Sequence, residues 1–478
     1  MNGQTSEALL SLFDSARLRP RYWITFGLLS LITVLEFFDF AIVAFLLAVI
    51  GPQWHLTYGQ SAVILYSGGI GAICGAVAWG SLSDAWGRKK QLVLGTFICG
   101  IGAGAIGLVP QGAWGILALL RFVVGFGLTA AVTPCLTLVV EATPTRYRTA
   151  VSSFYVVFAT AGALLASATS AALLALLGWR GVAMLGVVTV PVGIAIALVV
   201  PESVRWLTAK GRFAEARAQV ARQLGLALEQ VPLPNVPPIA PPTGRLAELY
   251  RNPTRFWETV IIWGGASTAA YGVYLWGPTI VSLLLGISVP SAAKYFVFVA
   301  GGGVIGKIVV SIVSPIMGRR RCGQVWGFLA AISLAAAAYF SNTFVAGVPL
   351  LVVFLCCSTF GIDGSFSNLA PYTVEVYGVR LGARSSGLGQ AANGVGKILG
   401  PLSLALIAGT GNIVSPHATA DAVLPAFMFL AFAMVCVGLS FTVFGLETHG
   451  VPMSLHGEMA GEAAERPAMA RSPIRPVR

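Results

Sequence analysis

Six ionisable side chains interrupt runs of sequence that are otherwise apolar: Glu36 and Asp39 in LEFFDF, Arg121 in LLRFVVGFG, Lys307 in GGGVIGKIVV, Asp363 in FGIDGSF and Lys397 in GQAANGVGKILGP. A charge placed in hydrocarbon is costly, so each is expected to face a helix-bundle interior or a wet cavity, where both signs can do chemistry together. Glu36 and Asp39 are three residues apart and share one helix face. Two carboxylates held close in an apolar bundle repel one another, which suits a site that carries a proton. Arg121 could neutralise whichever acid is deprotonated; the alternative is a fixed structural ion pair.

The carboxy-terminal charges suggest a different task. Gln390, Asn393 and Lys397 fall on one face at helical spacing, and a cation beside two amides suits a carboxylate ligand, with lysine acting as a point charge. Lys307 is a second candidate cation, or else the partner that neutralises Asp363. Trp263, Ser267, Tyr271 and Tyr274 recur at helical spacing and could flank a flat ring, although Trp276 fits an interfacial belt or packing role as well, and Phe37, Phe38 and Phe40 carry the same ambiguity.

The elements that must position these groups follow from composition. The chain is 56% hydrophobic and only 10% charged, and apolar stretches long enough to cross a bilayer as helix recur along almost its whole length. Spans are expected at about 23 to 50, 60 to 82, 91 to 109, 113 to 140, 149 to 175, 180 to 200, 256 to 286, 292 to 316, 324 to 341, 346 to 371, 383 to 409 and 422 to 446. This is an all-α integral membrane protein of twelve spans in two six-helix blocks. The expected division is a cytoplasmic tail over 1–22, a bundle over 23–200, a linker over 201–255, a second bundle over 256–446 and a cytoplasmic tail over 447–478. The linker combines a charged helical piece near Val204 to Gln223 with the run VPLPNVPPIAPP, which cannot stay helical.

Residues 1 to 21 are polar, carry Arg17, Arg19 and Arg21, and lack the apolar core of a cleavable signal. Lys and Arg gather at 88–90, 146–148, 205–255, 319–321, 380–384 and both tails, always after an even number of spans, so both ends are expected to be cytoplasmic in a cell inner (plasma) membrane. The net charge of +12 therefore reads as orientation, not as a nucleic-acid surface. The seven cysteines lack metal spacing, and the four histidines are scattered through loops and tails. Neither an enzyme constellation nor a metal or other cofactor is expected.

The two blocks echo each other. GSLSDAWGRKK follows span 2 and MGRRR follows span 8; Glu141 precedes Arg146, and Glu375 precedes Arg380, by five residues in each case. Such repetition marks transporters built from two rocking bundles. GSLSDAWGRKK, together with PESVRWL (Pro201 to Leu207) after span 6 and LETHG (Leu446 to Gly450) after span 12, resembles the major facilitator superfamily, and in particular its metabolite:proton symporters and sugar porters.

That resemblance implies a latch built from Gly80, Asp84, Gly87 and Arg88. It also implies an inter-helix charge network of Glu141, Arg146 and Arg148 with Glu375, Arg380 and Arg384; the alternatives are a topology anchor and solvated loop charges. On the residues alone, Gly80 lets two helices approach closely and Asp84 can pair with Arg88 one turn on. EFFDF resembles the span 1 acidic motif of aromatic-acid symporters, RFVVGFG a span 4 motif associated with proton coupling, and Lys397 the span 11 cation of organic-acid symporters. The function expected is secondary active, proton-coupled symport of a small organic anion, a carboxylate or aromatic acid, by alternating access, with protons and membrane lipids as further partners and a monomer as the working unit. The competing readings are a sugar or polyol porter and a proton-coupled exporter of drugs or metabolites, but span 7 lacks the glutamine-rich pattern of sugar porters.

Overall fold

The computed structural model describes residues 6–236 and 246–448, with the side chains of Asp84 and Arg380 among those outside the described set. Its helices are α1 (Ser6–Asp14), α2 (Pro20–Gln53), α3 (Tyr58–Trp86), α4 (Arg88–Ile106), α5 (Trp114–Ala142), α6 (Thr145–Met184), α7 (Thr189–Val199), α8 (Val204–Ala209), α9 (Phe213–Leu224), α10 (Pro253–Leu285), α11 (Val289–Met317), α12 (Arg319–Tyr339), α13 (Leu350–Ala408) and α14 (Pro416–Val443). Ten stretches among them are long and apolar enough to cross a membrane. One of these, Phe154–Val199, is two spans. Adding α4, whose basic start and glycines dilute its apolar character, gives twelve.

Two chain reversals are tighter than the sequence suggests. α6 breaks at Gly178 (φ 63°, ψ 176°) and α13 at Gly378 (φ 71°, ψ 176°), so spans 5 and 6, and spans 10 and 11, are each joined through a single residue. Positive φ is open to glycine without a Cβ penalty, which is why one residue suffices where a short loop was expected. Span 10 begins at Leu350, later than expected, because Phe344–Val345 (β1) and Val348–Pro349 (β2) form a small antiparallel hairpin just before it. The charged piece after span 6 is two helices, α8 and α9, separated at Gly211 (φ 70°).

Within the first bundle α3 packs on α5 and α5 on α4; within the second α10 and α11 pack on α13, and α12 on α14. Close approach is set by glycine where helices cross: a Cβ at Gly125 would collide with the Gly68 carbonyl, and one at Gly71 with that of Phe122. Gly80 has no such role, since a Cβ built there meets nothing within 4 Å among the described residues.

The bundles meet through α6 with α11, α3 with α13 and α2 with α10. On the face opposite the chain ends the two bundles are bonded to each other. The loop after span 1 pairs with the loop after span 11 through Tyr58 N–H to Asn412 O (2.9 Å), Gly59 N–H to Thr410 O (2.9 Å) and Val414 N–H to Leu56 O (3.0 Å). Tyr58 also hydrogen-bonds Thr419 Oγ1 at 2.6 Å and tilts against Trp276, with ring centroids 5.7 Å apart. On the other face, α1, α8 and α9 share a small core of Leu9, Phe13, Trp206, Leu207 and Val220 that caps the first bundle.

Candidate functional site

In the first bundle, Glu36 and Asp39 lie on α2 and are 0% and 1% exposed. Both Glu36 carboxylate oxygens lack a hydrogen-bond partner among the described residues. Cys99 of α4 directs its thiol to Asp39 Oδ2 at 3.7 Å, and Arg121 of α5, 2% exposed, donates from Nη1 to the Asp39 backbone carbonyl at 3.0 Å. The guanidinium thus holds the peptide of Asp39 and not its carboxylate. Arg121 reaches this position because glycine at Gly68 leaves room; a Cβ there would stand 3.3 Å from Arg121 Nη2.

In the second bundle, Asp363 of span 10 joins three partners. Lys307 Nζ stands 3.7 Å from Oδ1, Tyr274 donates to Oδ2 at 2.6 Å, and Thr160 Oγ1, from the other bundle, reaches Oδ1 at 3.4 Å. Lys307 is therefore committed to Asp363, one of the two roles its sequence position allowed. Lys397 is not so committed. No carboxylate lies within ion-pairing distance of it among the described residues, and its Nζ stands 5.9 Å from the ring centroid of Phe40 and 5.5 Å from that of Tyr271.

Those two rings meet edge to face at 5.1 Å, with Phe40 on α2 and Tyr271 on α10, so the cation sits where the bundles touch. A Cβ at Gly69 of α3 would fall 2.9 Å from Lys397 Cβ, which confirms how closely the first bundle abuts it. Asn393 accepts from Ser267 at 2.7 Å and donates to Gln390 at 3.1 Å, so the amides stand one and two helical turns from the lysine on its own helix. Trp263, by contrast, is a packing residue: its indole donates to Thr373 at 2.9 Å.

The charges on the terminal face differ from expectation in their pairing. Arg88 faces Glu141 at 3.9 Å, while Asp84 lies outside the described side chains. Arg148 turns away from Glu141 to Asp14 of α1 (3.0 Å), which also binds Arg205 (2.7 Å). The amino-terminal helix, invisible to any reading of loops between spans, supplies that acid. Arg146 is exposed and stands 5.6 Å from the Tyr147 ring centroid, Arg384 is exposed, Arg380 lies outside the described side chains, and Glu375 pairs with Arg319 at 3.0 Å.

Four functional candidates were missed in the sequence. Glu202, in PESVRWL, accepts from the backbone N–H groups of Arg88 and Lys89 (both 3.1 Å), and so caps α4 behind Gly87, whose φ of 98° sets the turn. Glu447, in LETHG, does the same for α12, accepting from Arg319 N–H at 2.8 Å behind Gly318 (φ 89°). Glu258, 1% exposed, binds Arg255 (2.7 Å) and Tyr372 (2.5 Å) and anchors span 7 to span 10. Cys99 hides among apolar neighbours and carries no sequence signal. The acid shared by the two motifs, each following a sixth span, was the available signal for the caps. A carboxylate at a helix N-terminus is favoured by the unpaired N–H groups and the dipole there. Replacing either acid, Glu202→Ala or Glu447→Ala, is expected to remove about 1–2 kcal/mol of stability; a detergent-solubilised variant melting at the wild-type temperature would contradict the cap.

Comparison with known proteins places this arrangement. The profile of the Major Facilitator Superfamily matches residues 29–401. The chain is 26% identical to the niacin transporter NiaP of Acinetobacter baylyi, over 86% of this chain and 91% of that one. It is 28% identical to the gallate transporter of Pseudomonas putida, over 70% and 76% of the two chains. Among solved structures it superposes on a D-xylose-proton symporter with a TM-score of 0.70 at 17% identity, covering 90% of this chain and 99% of that one, a likeness of fold.

Proposed function

From the premise that the chain belongs to the Major Facilitator Superfamily, and is a multi-pass membrane transporter and not an enzyme, we propose that it carries an aromatic or heteroaromatic monocarboxylate together with protons. The observation that carries the reading is Lys397: a cation without a carboxylate partner among the described residues, set beside the touching rings of Phe40 and Tyr271 at the junction of the two bundles. A ring can lie against the aromatic faces while its carboxylate meets the ammonium, a combination for which neither group alone would select. Niacin and gallate, named for two of the relatives, are both planar rings bearing a carboxylate, which supports the same class of substrate.

Proton coupling is assigned to Asp39, with Glu36 behind it and Arg121 fixing the helix at that level. The support is a fully buried acid pair served by one arginine that is not bonded to either carboxylate. The Lys307–Asp363 pair with Tyr274 completes the site on the second bundle and, through Thr160, ties it to the first. Alternating access then opens the terminal face and the opposite face in turn, as one bundle rocks against the other. The surplus of Lys and Arg after even-numbered spans supports cytoplasmic termini in an inner (plasma) membrane, with the opposite face outward.

The test is uptake by proteoliposomes of labelled nicotinate, 4-hydroxybenzoate and a hexose, with and without an inward proton gradient. Gradient-stimulated accumulation of an aromatic acid, with the hexose at the empty-vesicle level, is the expected result. Hexose accumulation without acid uptake would overturn the substrate class.

A further inference from the structure

A cavity of about 750 Å³ lies away from the midplane charges, on the terminal face, between the α1–α2 junction, α9 and the ends of α4 and α7. Its volume falls in the range of about 300–1,000 Å³ in which proteins hold small ligands. Five cations line it: Arg17, Arg19, Arg21, Lys89 and Arg222. The two acids on its wall are already engaged. Glu202 caps α4, and Glu215 is bound by Arg212 at 2.6 Å. None of the four arginines forms an ion pair among the described residues; Arg21 instead donates to the backbone carbonyl of Arg222 at 2.9 Å.

One wall of the same cavity is apolar and faces outward: Ile24 is 54% exposed, Leu198 80% and Val199 51%. These residues lie at the ends of spans 1 and 6, level with Tyr22 and the half-exposed Trp23, aromatic residues of the kind that mark the headgroup layer. The cavity is therefore basic toward the protein and open to acyl chains on its membrane side. We infer that it binds the headgroup of an anionic phospholipid, the phosphate held by the arginines and the chains lying along Ile24, Leu198 and Val199. A phosphate-bearing anion from solution shares the headgroup chemistry but has no use for the apolar wall. Basic clusters just outside a span attract anionic lipid by about fivefold in affinity per residue.

The test uses the full-length protein in detergent, titrated with phosphatidylglycerol or phosphatidylcholine and read by native mass spectrometry. Phosphatidylglycerol is expected to be retained preferentially, and R17Q/R222Q to weaken its retention by about 25-fold with phosphatidylcholine unaffected. R17K/R222K should keep it, as should R146Q, which removes an exposed charge of the same face outside the cavity. Should the double variant melt early, R222Q alone is expected to give about a fivefold loss. Equal retention of the two lipids, wild-type affinity in the glutamine variants, or a matching loss in R146Q would overturn the site. Tight binding of inorganic phosphate alone, without preference for phosphatidylglycerol, would overturn the lipid and assign the cavity to a soluble anion.

Discussion

Asp39→Asn is expected to reduce proton-driven accumulation of the aromatic acid to the empty-vesicle level while leaving exchange of labelled for unlabelled substrate measurable. The asparagine amide keeps the size of the side chain but has no carboxyl to protonate and release. Because Arg121 grips the Asp39 backbone carbonyl at 3.0 Å, and not its carboxylate, the substitution leaves that hydrogen bond in place, so loss of folding is not the expected cause of failure. Exchange requires only that the loaded carrier reorient, whereas accumulation requires the proton to be returned on each cycle. In the wild type, uptake should respond to the imposed gradient; in the variant it should be flat with external pH. Gradient-driven accumulation persisting in Asp39→Asn would move the proton to Glu36, which Glu36→Gln would then expose.

Lys397→Ala is expected to raise KM for the acid by about 10-fold to 100-fold, the equivalent of a charge-assisted hydrogen bond worth about 1.5–3 kcal/mol. Lys397→Arg should recover part of that loss, because it restores the charge, though a planar fork meets the Phe40 and Tyr271 rings differently from a point charge. Lys307→Ala makes the contrast. It strips the cationic partner from Asp363 and leaves a buried carboxylate with Tyr274 and Thr160 as its partners among the described residues, so expression and stability should suffer along with transport. Equal KM in Lys397→Ala and wild type would separate the substrate from this lysine.

The intramembrane charges were legible in the sequence because each stands out against an apolar run, and the helical period sorted Gln390, Asn393 and Lys397 onto one face. Membership of the superfamily was legible for the same reason: its motifs lie in short polar loops at fixed places. What each charge touches was not legible. Lys307 was left open between a second substrate cation and the partner of Asp363, and only the approach of Asp363 to it, and of two rings to Lys397, shows which groups each lysine meets. Arg148 misled because its partner, Asp14, lies 134 residues earlier in a helix outside the bundle. The reversals at Gly178 and Gly378 were expected as loops, since hydropathy registers where apolar character fades and not how sharply a chain can turn.

Glu202 and Glu447 each come from the stretch just after a sixth span and grip the start of a third. Each bundle is thereby fastened end to middle, like a hoop with its own clasp, the clasp being supplied by the chain just past that bundle's last span. Torque applied at the junction of the bundles will turn such a hoop as one piece instead of peeling its helices apart.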